Sequence, residues 1–239
     1  MFSQGCCLET ATRVTSSRER PATVVARAMR ARTSSRAGDG GISRFWSLAR
    51  TAACLGRRAG LRKALPGLLA FTDPVRTADL DGLAASLPRG AALVYRAFGA
   101  DEAEQVARRL QKRLHARGCL LLIGADAVLA QKIGADGVHL PERLAHRAFR
   151  LRRCHWIITA AAHSTRAARV RGVDAVVISA VFPSKSASAG KPLGPVRLAM
   201  LVRSAGQPAY ALGGIDDQTA GRLQSTGLVG IAGVEGFRT

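Results

Sequence analysis

The chain has 239 residues, 47% hydrophobic and 5% aromatic, with 36 Lys and Arg against 16 Asp and Glu and a formal net charge of +20. That length can bury one sizeable core, and no apolar run approaches the roughly 18 residues that a membrane-spanning helix needs. The five cysteines are odd in number and irregularly spaced, which excludes a disulfide framework and a zinc pattern; buried Cys119 and Cys154 would suit a reducing cytoplasm.

Residues 1–65 hold 13 Lys and Arg against 3 Asp and Glu, a net of +10, and the remaining 174 residues carry the other +10. Basic tails bind polyanions without specificity. No stacking aromatics are interleaved with the arginines and no nucleic-acid-binding motif stands out, so no specific nucleic-acid partner is expected. Residues 1–43, rich in Arg, Ser, Thr, Ala and Gly, lack apolar periodicity and read as a disordered basic leader. An Arg-rich, Ser-rich, acid-poor start resembles an organelle transit peptide, and a start codon assigned too far upstream explains it equally well.

From residue 44 onward the chain reads as one folded unit. Phe45, Leu48, Ala52, Leu55, Ala59 and Leu65 fall near helical spacing, predicting a capping helix against one end of the fold; a basic membrane-surface segment is the alternative. Apolar runs then recur at Gly67–Thr72, Ala91–Tyr95, Cys119–Ile123, Gly137–Leu140, Trp156–Ala161, Ala175–Val181, Ala209–Leu212 and Gly230–Val234. Amphipathic stretches separate them, at Asp101–Arg117, Ala125–Ile133, Arg143–Leu151, Thr165–Arg171, Pro195–Ser204 and Asp216–Ser225. Asp101 is the expected N-cap of the first of these, and Gly118, Gly134, Gly172 and Gly227 are expected stops. Eight strands alternating with helices predict parallel strands with right-handed crossovers, closed as a (β/α)8 TIM barrel whose final helix is missing or very short. An open doubly wound sheet is the rival, but no G-x-G-x-x-G follows the first strand.

In such a barrel the chemistry lies at the C-terminal ends of the strands. Those ends carry Thr72-Asp73, Arg96, Asp126, Glu142, His163-Ser164, the loop 184–191 and Gly213-Gly214. Ser184, Lys185, Ser186, Ser188 and Lys191 are placed to reach a phosphate, and Gly190 allows close backbone approach. Backbone N–H groups at Gly213-Gly214 form a second candidate phosphate seat. His163 is the candidate acid/base, since imidazole titrates near neutral pH. His139 is expected to be structural, pointing into the barrel beneath the mouth.

FTDP, the arginine of VYRAF, ADGVHLPE, AAHS, DAVVISAVFPSKS and YALGGI resemble, in that order, the thiamine-phosphate synthase/TenI family, from about Leu68 to Val234. The resemblance implies a magnesium-assisted transferase joining an aminopyrimidine pyrophosphate to a thiazole phosphate. Arg96 would then take pyrophosphate together with Lys185, Ser184 and Ser186 would orient it, and Gly213 and Gly214 would hold the thiazole phosphate. Several positions depart from the family pattern. Ala97 and Phe98 stand where its synthases have Glu and Lys, Gly124-Ala125 replaces Asn-Asp, Leu144 falls near its second metal-binding Asp, and Ala187 replaces a Lys. Asp126 and Glu142 are left as the candidate magnesium ligands. The alternatives are a metal-free TenI-like thiazole tautomerase with His163 as base, and a phosphate-ligand-binding barrel without catalysis. A phosphorylated heterocycle is the expected partner in each case, and homo-oligomerisation is compatible with the sequence.

Overall fold

The computed structural model describes residues 48–55, 64–152, 155–184 and 190–234. Eight parallel strands pair in sequence order and close on themselves: β1 Leu68–Phe71, β2 Ala92–Tyr95, β3 Leu120–Gly124, β4 Gly137–Leu140, β5 Ile157–Ala162, β6 Ala175–Ile178, β7 Ala209–Leu212 and β8 Gly230–Gly233. Ring closure between β1 and β8 aligns Leu68 with Ile231 and Ala70 with Gly233. The expected (β/α)8 barrel is therefore the fold. Its strands read as continuous apolar runs because they are buried on both faces.

The two-residue side-chain period divides each strand between two layers. Leu69, Phe71, Val94, Leu122, Ile157, Val177 and Tyr210 belong to one buried cluster, which fills the barrel interior, while Leu68, Ala70, Leu93, Leu121, Ile158 and Val176 join the layer beneath the helices. Tyr210 is fully buried and donates from its hydroxyl to the Pro66 carbonyl at 2.6 Å, and burial pushes its phenol well above the usual range. Gly230 sits beside it; a Cβ there would strike the Gly67 carbonyl oxygen and the Tyr210 ring.

Between the strands run α1 Leu80–Ser86, α2 Ala103–Ala116, α3 Ala127–Ile133, a 3-10 turn Glu142–Arg147 leading into α4 Ala148–Leu151, α5 Thr165–Ala168, α6 Gly194–Ala205 and a 3-10 turn Ala220–Leu223. Three expectations change. Leu80–Ser86 is an additional helix, capped by the Asp79 carboxylate on Gly82 N. The N-cap of α2 is Glu102, not Asp101, and its side chain makes no capping bond. Asp216–Ser225 yields only the short 3-10 turn, Asp216 being spent on the amides of Gln218 and Thr219. Gly134 does end α3, with φ of +70°.

Segment 48–55 is helical, and Leu48, Ala52 and Leu55 are buried with the outer layer, the Ala52 carbonyl oxygen lying 3.1 Å from where a Cβ on Gly67 would sit. The leader and the segment 235–239, on which the expectation of a vestigial last helix rests, lie outside the described residues.

Candidate functional site

The C-terminal ends of the eight strands form one mouth, as ring closure requires. Arg96 follows β2 and is held on three sides. Its Nε donates to the Thr72 carbonyl at 2.6 Å, its Nη2 donates to Asp73 Oδ2 at 3.3 Å, and its amide donates to Thr72 Oγ1 at 2.9 Å. The guanidinium carbon also lies 5.8 Å from the Phe71 ring and 5.2 Å from that of Phe98, within cation–π range. Burial lowers the Arg96 pKa, the Asp73 charge opposes that shift and Arg76 adds to it. A guanidinium stays charged through such changes, so Arg96 presents a fixed, oriented cation.

The glycine at position 124 has a geometric reason. A Cβ there would lie 2.8 Å from Arg96 Cγ and 3.3 Å from the Tyr95 carbonyl, so Gly124 lets Arg96 cross the end of β3. Ala125 then adopts φ of +64° and its amide bonds the His139 carbonyl at 2.8 Å. Asp126 Oδ1 accepts the Leu129 amide at 2.8 Å as the N-cap of α3.

Glu142 begins the 3-10 turn after β4. Its Oε2 accepts the His163 amide at 2.8 Å and lies 2.7 Å from His163 Nδ1. Both side chains are accessible, and the carboxylate favours the tautomer with the proton on Nδ1, leaving Nε2 as a proton acceptor. Ser164 caps α5 by accepting the Ala167 amide. Neither the pairing of residues 21 positions apart nor its effect on the imidazole was visible as a motif; only the strand-end placement of both residues hinted at it.

His139 behaves as expected. It is buried, its Nδ1 lies 2.9 Å from Thr159 Oγ1, and its ring meets that of Phe71 edge-on at 4.8 Å. Burial, with a smaller push from the Arg96 charge, lowers its pKa to about 3, so it is neutral at physiological pH.

On the opposite side of the mouth the segment after β6 is tied down. Val181 and Phe182 amides bond the Leu212 and Gly213 carbonyls, both at 3.0 Å, and the Gly194 amide bonds the Val181 carbonyl at 2.9 Å. Gly213 and Gly214 have φ of +99° and +64° and pack closely on this segment: a Cβ on Gly214 would run into the Pro183 carbonyl oxygen and come within 2.8 Å of Phe182 Cβ. Ser184, half-buried, follows directly. Lys185 and Ser186 lie outside the described residues.

The acids at the mouth are already engaged. Asp126 caps a helix, Glu142 holds His163, and Asp73 takes the amides of Val75 and Arg76 as well as Arg96. Among the described residues no group of three or more His, Cys, Asp or Glu side chains is arranged to hold a metal ion. The donor set among the described residues does not fit a magnesium ion held by side-chain carboxylates, which needs near-octahedral oxygens at the ion.

A (β/α)8 barrel whose mouth gathers an oriented arginine, a carboxylate-held imidazole and a tightly packed glycine pair is suited to a phosphorylated ligand. The family profile described as thiamine monophosphate synthase matches residues 69–237. A "Thiamine-phosphate synthase" of Chromobacterium violaceum is 35% identical over 185 residues, covering 72% of this chain and 87% of the relative. A protein of the same name from Alcanivorax borkumensis is 31% identical over 188 residues, covering 70% and 83%. Among solved structures, "Thiamine phosphate pyrophosphorylase from Pyrococcus furiosus" superposes with a TM-score of 0.60 at 24% identity, covering 69% of this chain and 83% of that one, a likeness of fold. The chain belongs to the thiamine monophosphate synthase family. No helix among the described residues is long and apolar enough to cross a membrane.

Proposed function

We propose that the barrel is a transferase of thiamine biosynthesis, joining an aminopyrimidine pyrophosphate to a thiazole phosphate with an altered mouth. The observation that carries this reading is the convergence of Arg96 and the Gly213-Gly214 turn on one barrel mouth, in a chain whose relatives bear the synthase name. In this reaction the bond from the aminopyrimidine methylene to pyrophosphate oxygen breaks, and the thiazole nitrogen supplies the electron pair for the new carbon–nitrogen bond. Negative charge grows on the departing pyrophosphate. Arg96, pre-oriented by Thr72 and Asp73, faces that charge without reorganising, and Ser184, Lys185 and Ser186 add donors to it. The amides of Gly213 and Gly214 seat the phosphate of the thiazole. With no fitting carboxylate set, no step is assigned to a metal. Residues 44–239 act as the catalytic unit and 1–43 as a separable leader.

The Glu142–His163 pair favours a second reading, a tautomerase that moves a proton on a thiazole carboxylate phosphate. There Nε2 of His163 takes the proton while Glu142 stabilises the resulting imidazolium. One experiment separates the two. The full chain is incubated with both synthase substrates, with magnesium and with EDTA, following pyrophosphate release, and separately with the thiazole carboxylate tautomer. Pyrophosphate release supports the transferase. Tautomer conversion alone supports the proton-transfer reading. Silence in both, with a thiazole phosphate still raising the melting temperature, leaves a binding protein.

A further inference from the structure

The charge of the barrel is not spread around it. Residues 67–142 hold 9 Lys and Arg against 9 Asp and Glu, a net of zero, whereas residues 143–215 hold 12 Lys and Arg against a single acid, Asp174, a net of +11. Because the strands follow one another in ring order, the second stretch is one continuous sector of the wall, from the turn after β4 to the end of β7. Asp174 is spent on the Ile158 amide at 2.8 Å.

Within that sector Arg147, Arg150, Arg166, Arg169, Arg171 and Arg203 are all exposed, and none forms an ion pair among the described residues. Three contacts join them into one band. A Cβ on Gly172, the residue after Arg171, would lie 3.0 Å from the Phe149 amide, which puts Arg171 beside α4. Helix α5 packs on α6, and Arg169 Nε donates to the Ser204 carbonyl at 3.2 Å, next to Arg203. Phe149, in α4 between Arg147 and Arg150, is 72% exposed. The absence of stacking aromatics among the arginines, expected from the sequence, is thus corrected: Phe149 stands outside between Arg147 and Arg150, while Ala145 and Ala148 are buried.

We infer that this wall sector binds single-stranded nucleic acid without sequence preference, its arginines on successive phosphates and Phe149 as a stacking platform for a base. Arginine outnumbers lysine ten to two across residues 143–215, and its planar fork suits phosphate oxygens. An anionic membrane fits less well. The inward faces of α4, α5 and α6 are committed to the core through Ala148, Ala168 and Leu198, and the large apolar side chains left exposed on them, Phe149, Val196 and Met200, fall short of the continuous apolar stripe that an interfacial helix embeds. The band also follows a convex wall, which a flexible strand can track and a flat bilayer cannot. This inference stands apart from the reaction at the mouth.

The test uses the full chain and a fluorescein-labelled 20-mer of uridine, with affinity measured by anisotropy from 50 to 200 mM salt. The variant Arg147→Ala/Arg150→Ala/Arg169→Ala/Arg171→Ala is compared with Lys112→Ala/Arg113→Ala/Arg117→Ala/Lys132→Ala, which removes the same charge from the balanced half. The leader is present in both. The band variant is expected to bind at least about tenfold more weakly and to lower the slope of log affinity against log salt by about 2 to 3, since each lost phosphate contact on a single strand contributes about 0.7. The control is expected to stay within about twofold of the parent. Phe149→Ala alone is expected to weaken binding about fivefold or more. Equal losses in both quadruple variants, no loss in either, or binding to phosphatidylserine vesicles with none to the 20-mer would each overturn the inference. Circular dichroism melts confirm that these exposed substitutions leave the fold intact.

Discussion

Replacing Gly214 by Ala tests how the mouth is built, with Gly206→Ala as its internal reference. Both glycines have positive φ, +64° and +69°, so each alanine carries the cost of a left-handed backbone, about 1 to 2 kcal/mol. Their surroundings differ. Nothing lies within 4 Å of a Cβ on Gly206, at the C-cap of α6, whereas a Cβ on Gly214 meets the Pro183 carbonyl and Phe182. The Pro183 oxygen is backbone and Phe182 is locked by the hydrogen bond its amide donates to the Gly213 carbonyl, so the segment after β6 and the turn after β7 would be forced apart. Overpacking of this kind adds about 1 to 3 kcal/mol. Gly206→Ala should therefore lower the melting temperature by about 4 to 5 °C and Gly214→Ala by about 10 °C, at about 2 to 4 °C per kcal/mol for a chain of this size. Urea titration of both variants and calorimetry with a thiazole phosphate read the outcome. Gly206→Ala is expected to keep the parent affinity and Gly214→Ala to lose it. Equal destabilisation, or unchanged binding in Gly214→Ala, would refute the claim that this close packing shapes the phosphate seat.

Other substitutions test the remaining roles. His139 is held neutral, with a folded pKa of about 3 against about 6.5 in the unfolded chain, so its contribution is intact above pH 6.5 and is lost as pH falls towards 3. Between pH 7 and pH 5 it removes about 2 kcal/mol of stability, a slope that His139→Gln should abolish in urea titrations at the two pH values. The His115–Asp136 pair has the opposite sign. The hydrogen bond that His115 Nε2 donates to the Asp136 carboxylate raises the His115 pKa, so its stabilisation is complete below about pH 6.5 and disappears as pH rises through the folded value; His115→Gln should flatten that part of the profile. Asp126→Ala should lower stability by about 1 kcal/mol while Asp126→Ser retains it, and neither should alter any dependence on magnesium; a magnesium effect would restore Asp126 as a ligand. Arg96→Ala should raise the dissociation constant for pyrophosphate about tenfold or more, measured by calorimetry.

The barrel was legible because strands buried on both faces read as uninterrupted apolar runs, and all eight fell within two or three residues of their observed bounds. Helix Leu80–Ser86 was not, since only Leu83 and Ala84 are buried and two positions set no period. Residue identity located the mouth but not what its side chains touch. Asp126 and Glu142 are carboxylates near a strand end, which is also what a metal ligand looks like in sequence. Their commitment to Leu129 N and to His163 depends on the turn that the backbone takes after Ala125 and on a contact between neighbouring strands. Gly124 likewise reads as a lost asparagine until the path of Arg96 explains it.

Convergence of a phosphate and a pyrophosphate on one mouth is decided by a crystal structure of the full chain with a thiazole phosphate and pyrophosphate. The thiazole phosphate is expected on the amides of Gly213 and Gly214 and pyrophosphate against the Arg96 guanidinium. Both anions bound away from the mouth would rule it out.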